Sequence, residues 1–204
     1  PEWKDLSGSI RSMSLSPNGE RLLGVARGDI FSIPAKKGIT YNLTNSSDAN
    51  DKTADWSPDG NGYAYVSDKD GEFNIWYVDS KGKERKLTNV KTHILGFEWS
   101  PDAKRIAWSE KMNTLNILDV ATGKNSVVEK SDISPMNDYS WSPDSKYIVY
   151  TRPGKGVNTI ILYNSQSGEK VQLTDEWYNS SSANFSKDGK YILFSSARTF
   201  SPTY

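Results

Sequence analysis

A Ser-His catalytic pair in this sequence would have to use His93, the only histidine among 204 residues. It stands in the loop before Ile94-Leu95-Gly96-Phe97, and no nucleophile elbow occurs anywhere in the chain. A loop histidine without a catalytic role is therefore expected. Zinc chemistry fails on the same count: one histidine and no cysteine leave only carboxylates, and there is no His-Glu-x-x-His. Asp68-Lys69-Asp70-Gly71 has the acidic spacing of a calcium loop, but the glutamate that should close a twelve-residue ligand set is missing, so a hairpin loop is expected. These residues imply no catalytic set, no metal and no cofactor. Aromatic residues suit recognition better. Trp56, Trp99 and Trp141 fall at equivalent spacings, which points to packing, whereas Trp177-Tyr178 lies in Asp175-Glu176-Trp177-Tyr178-Asn179, outside any strand pattern, and is a candidate for contact with a partner.

Lysine plus arginine number 25 and aspartate plus glutamate 25, so no net field favours nucleic acid or an anionic membrane, and neither is expected as a partner. Without cysteine there is no disulfide framework and no thiolate nucleophile. No apolar run approaches the roughly 18 residues of a spanning helix, and Pro1 to Ile10 lacks the character of a signal peptide. A soluble protein is expected, cytoplasmic or periplasmic.

The elements that must position these residues follow from an internal repeat. Ser16-Pro17-Asn18-Gly19, Ser57-Pro58-Asp59-Gly60, Ser100-Pro101-Asp102-Ala103, Ser142-Pro143-Asp144-Ser145 and Ser186-Lys187-Asp188-Gly189 are 41, 43, 42 and 44 residues apart. Proline presets φ for a tight turn, Asp or Asn tolerates the next position, and glycine permits the positive φ at its exit. Before each turn stands a large apolar residue ending an alternating segment (Leu15, Trp56, Trp99, Trp141, Phe185). After it come Leu-Leu-Gly-Val-Ala and its counterparts, then a third β-rich run such as Phe73 to Val78, a glycine turn, and a fourth run ending in Leu43-Thr44, Leu87-Thr88, Val128-Glu129 or Leu173-Thr174. Four strands per repeat predict an all-β propeller of four-stranded antiparallel blades. Residues 1–204 are read as one propeller segment with blades at 9–44, 53–88, 94–129 and 137–174 and a partial blade at 181–204. About four and a half blades make an incomplete ring, so the sequence is expected to be part of a longer polypeptide, with residues 1–8 the tail of a preceding element or an outer strand of the last blade.

In such blades the Pro-Asp turns share one end and the variable loops the other. The variable end would gather Arg27, Asp29, Lys69, Asp70, Lys91, His93, Glu110, Lys111, Arg152, Trp177 and Tyr178 as a mixed-charge rim. Arg27, Asp29, Lys69, Asp70, His93, Lys111, Arg152, Trp177 and Tyr178 are the candidates for a channel or rim site.

Residues 57–88, with Ser-Pro-Asp-Gly, Ser-Asp-Lys-Asp-Gly, Asn-Ile-Trp-Tyr-Val-Asp and Lys-Leu-Thr, resemble the Pro-Asp type of propeller repeat, a relative of the WD repeat found in TolB, prolyl-oligopeptidase-like enzymes and tricorn protease. Residues 3–32 resemble the opening of the second, seven-bladed propeller of tricorn-type serine peptidases, and residues 195–204 resemble a segment further along it. That resemblance implies a non-catalytic propeller segment that filters or guides peptides, or unfolded polypeptide, to a Ser-His active site in C-terminal domains of the same polypeptide, which would assemble as a homo-oligomer. The alternatives are a TolB-like interaction module without peptidase, or a gating propeller of a prolyl-oligopeptidase-like enzyme.

Overall fold

The computed structural model describes residues 7–46 and 48–198. Residues 1–6 of the opening segment and 199–204 of the closing one lie outside the described residues. Apart from a 3-10 turn at Ser7–Ser9, the regular structure of the described residues is all β. Chain contacts group into two compact units, one running up to Ile94 and one from Leu95 onward.

In the first unit β1 (Ile10–Leu15), β2 (Arg21–Ala26), β3 (Asp29–Pro34) and β4 (Tyr41–Asn42) form one sheet, and β5 (Lys52–Trp56), β6 (Gly62–Ser67), β7 (Asn74–Asp79) and β8 (Glu84–Lys86) form the next. The second unit holds β9 (Ile94–Trp99), β10 (Arg105–Glu110), β11 (Thr114–Asp119) and β12 (Asn125–Lys130) in one sheet. It adds β13 (Tyr139–Trp141), β14 (Tyr147–Arg152), β15 (Thr159–Asn164) and β16 (Lys170–Gln172) in another, and β17 (Ser180–Phe185) with β18 (Ile192–Ser196). Within each sheet every strand lies beside its predecessor, and the pairing is antiparallel. This is the blade architecture expected from the repeat: four complete blades and two strands of a fifth.

The anchor turns explain the regularity. In each, the serine hydroxyl donates to the Asn or Asp Oδ1 two residues on, at 2.6–2.7 Å. That same Oδ1 accepts a backbone N–H from Glu20, Asn61, Lys104, Lys146 or Lys190 at 3.0–3.2 Å. The Ser142 hydroxyl and the Lys146 N–H hold the Asp144 carboxyl below its ordinary value, because both bonds favour the ionised form. The fourth residue is left-handed every time: Gly19, Gly60 and Gly189 at φ 69, 73 and 70°, but also Ala103 at 59° and Ser145 at 61°. A side chain there crowds the following carbonyl.

Second strands are buried along nearly their whole length, in the pattern of a strand covered on both faces. In the first unit Leu23, Val25 and Ile30 pack against Ala54, Tyr65 and Val78 of the next sheet. In the second unit Ala107, Leu115, Ile117 and Val128 meet Met136, Trp141, Ile148, Tyr150 and Ile161. Trp99 and Trp141 are buried at their repeat position, as expected; Trp56, at the same position, is only half-buried.

Two stability outcomes follow. Trp141→Ala empties a site between two sheets and should cost about 3–5 kcal/mol in urea denaturation; a loss below about 1 kcal/mol would place the ring outside the core. Ala103→Gly relieves a left-handed alanine and should gain about 0.5–1 kcal/mol, the difference between the strain removed and the extra chain entropy of glycine.

Candidate binding groove and rim

Most of the charged residues expected on the rim are tied to neighbours. In the first unit Arg27 and Gly28, at φ 56 and 88°, make the two-residue turn between β2 and β3, and the Arg27 side chain is exposed. Asp29 is engaged locally: its carboxylate accepts from the Asn42 amide at 3.0 Å and the Ser46 N–H at 3.2 Å, which fixes the chain leaving β4. Lys69 pairs with Glu84, and Asp70 with Lys86. The His93 ring stands edge-on to Phe73 at 4.8 Å, and Phe73 also carries the Lys52 ammonium 3.6 Å above its centroid. In the second unit Lys111 is exposed on the turn between β10 and β11, and Arg152 donates to Gln172 at 2.6 Å. Trp177 is 82% exposed, and Tyr178 beside it lies under the Arg198 guanidinium at 5.3 Å.

Lys69 leads to a feature the rim reading did not contain. Between the two sheets of the first unit runs a groove of about 710 Å³, open to solvent. Leu43, Thr44 and Ser46 form one wall, where the chain leaves β4, and Trp56, Tyr63 and Tyr65 form the other. It extends from Asp51 at one end of the blade to Gly60 and Gly82 at the other. Gly62 is required in that wall: a Cβ there would lie 2.2 Å from the Val78 carbonyl oxygen.

The groove is open because β4 is short. The two-residue β4 brings no carboxylate to Tyr65, whose hydroxyl finds its partner in its own sheet, on Glu84. Lys69 completes the group by donating to the Tyr65 hydroxyl at 2.8 Å, pairing with Glu84 and lying 3.7 Å from the Trp76 ring centroid. In the second unit the corresponding tyrosine, Tyr150, meets a six-residue β12. Its hydroxyl donates to Glu129 of that preceding sheet at 2.9 Å, and Lys170 pairs with the same carboxylate at 3.0 Å. A longer fourth strand thus bridges the space that the shorter one leaves empty.

Asp51 is the unusual group. Six residues before each anchor serine stand Ile10, Asp51, Ile94, Met136 and Ser180. Ile94 and Met136 are core residues at 2% and 1% exposure, and Asp51 is buried to the same 2%. A carboxylate occupies a position that three of the four sister repeats fill with an apolar side chain and the fifth repeat with Ser180, and its Oδ2 has no hydrogen-bond partner. Burial pushes its carboxyl up, against the Ser67 and Thr44 hydroxyls and the Lys69 charge, which favour the ionised form; Asp29 adds to the upward push. Two more groove-lining atoms, Ser46 Oγ and Trp56 Nε1, are buried and unpartnered. Burial, with the nearby negative charges of Glu84 and Asp51, pushes the Tyr63 phenol up to about 12, and Tyr65 is raised as well, so both remain neutral hydrogen-bonding aromatics at physiological pH. Sequence reasoning passed over Asp51. The signal was present in the repeat alignment, as the acid in a column with Ile10, Ile94 and Met136.

Asp51→Asn should raise the unfolding free energy by about 1 kcal/mol near pH 7 by removing a poorly satisfied buried charge. The unfolded carboxyl ionises near its ordinary 3.8 and the folded one only at higher pH. The wild type therefore loses stability relative to the variant as pH rises from below 3.8 through the folded value, and the gap closes at lower pH. Urea titrations of both proteins across that range test it; a gap that does not vary with pH would show that Asp51 is well compensated in the folded state.

The fold defines a β-propeller of the Pro-Asp repeat type, with a ligand-sized groove between two of its blades. A family model described as the tricorn protease second beta propeller domain matches residues 10–204, and the chain belongs to that family. It is 28% identical over 151 residues to an uncharacterized peptidase, YuxL, of Bacillus subtilis, covering 71% of this chain and 21% of that protein. A putative tricorn-like protease C-terminal subunit of Sulfurisphaera tokodaii is 25% identical over 186 residues, 91% of this chain and 21% of that protein. A crystal structure of the tricorn protease superposes with a TM-score of 0.85 at 18% identity, over 100% of this chain and 21% of that one. The chain thus spans about a fifth of the length of these relatives. Among the described residues no helix is long and apolar enough to cross a membrane.

Proposed function

We propose that the chain is a non-catalytic propeller segment of a tricorn-like serine peptidase. There it filters or guides peptides or unfolded polypeptide toward an active site carried by C-terminal domains of the same polypeptide, in a homo-oligomeric assembly. The observation that carries this reading is the family match across residues 10–204, together with relatives about five times longer, two of them described as a peptidase and a protease subunit. The chain's single histidine is packed on Phe73, consistent with catalysis elsewhere. The first and last described sheets support a longer propeller: Met13 and Leu15 of β1 are 64% and 57% exposed, and Leu193 of β18 is 63% exposed, at positions where a neighbouring blade would cover them. Arg27, Lys111 and Trp177, exposed on connecting turns, are the side chains best placed to meet a passing peptide, with Asp29, Lys69, Asp70, His93, Arg152 and Tyr178 setting the shape of the loops around them.

Gating alters access and leaves the chemical step alone. In the full-length polypeptide, Arg27→Glu combined with Arg152→Glu should change kcat/KM for a long peptide several-fold and leave a minimal fluorogenic substrate within about twofold. Equal loss on both substrates would indicate misfolding or a catalytic role, and no loss on either would remove these residues from the mechanism.

A further inference from the structure

We propose that the groove between the two sheets of the first unit binds an organic cation, an ammonium or guanidinium group on an aliphatic chain, with Asp51 as its counter-ion and Trp56, Tyr63 and Tyr65 as its aromatic walls. The site shares Lys69 with the rim but lies between the two sheets, and it stands whether or not the chain belongs to a peptidase.

Charge selects the ligand class. Asp51, Asp79 and Glu84 line the groove against one cation, Lys69. Lys69 is already held by Glu84 and the Tyr65 hydroxyl, and Asp79 accepts from the Lys81 and Lys83 N–H groups at 2.9 Å. The carboxylate left with an open valence is Asp51, 2% exposed and with Oδ2 unpartnered. An anion would meet net negative charge; a cation would complete the missing pair. The walls suit the same ligand. The Trp56 and Tyr63 rings meet edge to face at 5.8 Å, and the Tyr63 and Tyr65 rings lie 6.0 Å apart at 34°. π-Faces attract ammonium and guanidinium groups, and do so most strongly when water is excluded. Lys69 shows the local preference by resting 3.7 Å from the Trp76 centroid.

The remaining unpartnered groups define the rest of the ligand. Ser46 Oγ can accept from a donor on the ligand. Trp56 Nε1, five residues along β5 from Asp51, is a donor that needs a carbonyl acceptor. A ligand that meets both groups carries a carbonyl as well as a cation, which describes a lysine or arginine residue with its peptide carbonyls better than a bare amine.

The probes are Nα-acetyl-arginine amide and Nα-acetyl-lysine amide, titrated calorimetrically into the full-length polypeptide, with the neutral isostere Nα-acetyl-citrulline amide as the comparison. Saturable binding of at least one cationic probe is expected, with citrulline much weaker. Asp51→Asn should weaken the cation by about tenfold or more, and Glu169→Gln, an exposed turn carboxylate outside the groove, should not. The cationic probe should also raise the unfolding midpoint of the wild type and not that of Asp51→Asn, a readout that stays valid because the variant is expected to be the more stable fold. Absence of saturable binding, equal affinity for citrulline, or equal loss in Asp51→Asn and Glu169→Gln would overturn the assignment.

Discussion

Burying the second strand of every complete blade is the constraint from which the other features follow. Leu23, Ala64, Ile106 and Ile148 are all 0% exposed, each in a strand buried along most of its length. Within each unit neighbouring sheets cover one another, and the chain meets this need by repeating one four-stranded unit. The first strand, as in β1, alternates between half-buried and exposed positions, while Lys170 to Gln172 of the fourth strand β16 face solvent throughout. The Ser-Pro-Asp turn serves the same end. By tying a serine hydroxyl and a backbone N–H to one carboxylate oxygen it fixes where the second strand starts, and hence which side chains face which neighbour.

The turns impose that register strongly enough to tolerate strain. Ala103 and Ser145 adopt the left-handed conformation their glycine counterparts adopt freely, and at Ser145 there is a return: its hydroxyl accepts the Asp102 N–H at 3.0 Å, linking the turns of adjacent blades. Arg105 reinforces the same junction, donating to the Ser145 carbonyl at 2.5 Å and the Ser165 hydroxyl at 2.7 Å while lying over Trp141 at 5.1 Å. In the second unit, adjacent blades are joined by polar bonds at the turn end as well as by apolar packing.

This hierarchy explains what could be read from the sequence. The anchors, the strand order and the buried second strands depend on local turn chemistry and on alternation, both of which are written residue by residue. Trp99 and Trp141 were legible as core because their neighbours are regular. Trp56 sits at the same repeat position and differs only in what lies beside it. The length of a fourth strand was not legible: Leu43-Thr44 and Val128-Glu129 read alike as strand ends, yet β4 has two residues and β12 six. The partners of the loop charges were hidden for a related reason. Lys69 could reach Glu84 only because the fourth strand places that acid beside Tyr65, a relation across 15 residues that composition does not express.

Asp51 joins these two levels. In the third and fourth repeats the residue six before the anchor serine is a buried apolar side chain, Ile94 or Met136, and an acid at that position opposes the packing those blades use. The conflict persists because the neighbouring strand is short: with β4 ending at Asn42, the space in front of Tyr65 is a groove, and a carboxylate can be buried beside it without displacing packed apolar groups. Where β12 is long, the same space receives Glu129, already matched by Lys170 and Tyr150 and so satisfied within the fold. Both arrangements put a carboxylate at a junction between adjacent blades. One is supplied with its cation by the chain, and the other keeps an oxygen without a partner. Local disagreement with the global pattern is the mark of a position held for binding more than for stability, and here the turn network that carries the fold is untouched by it.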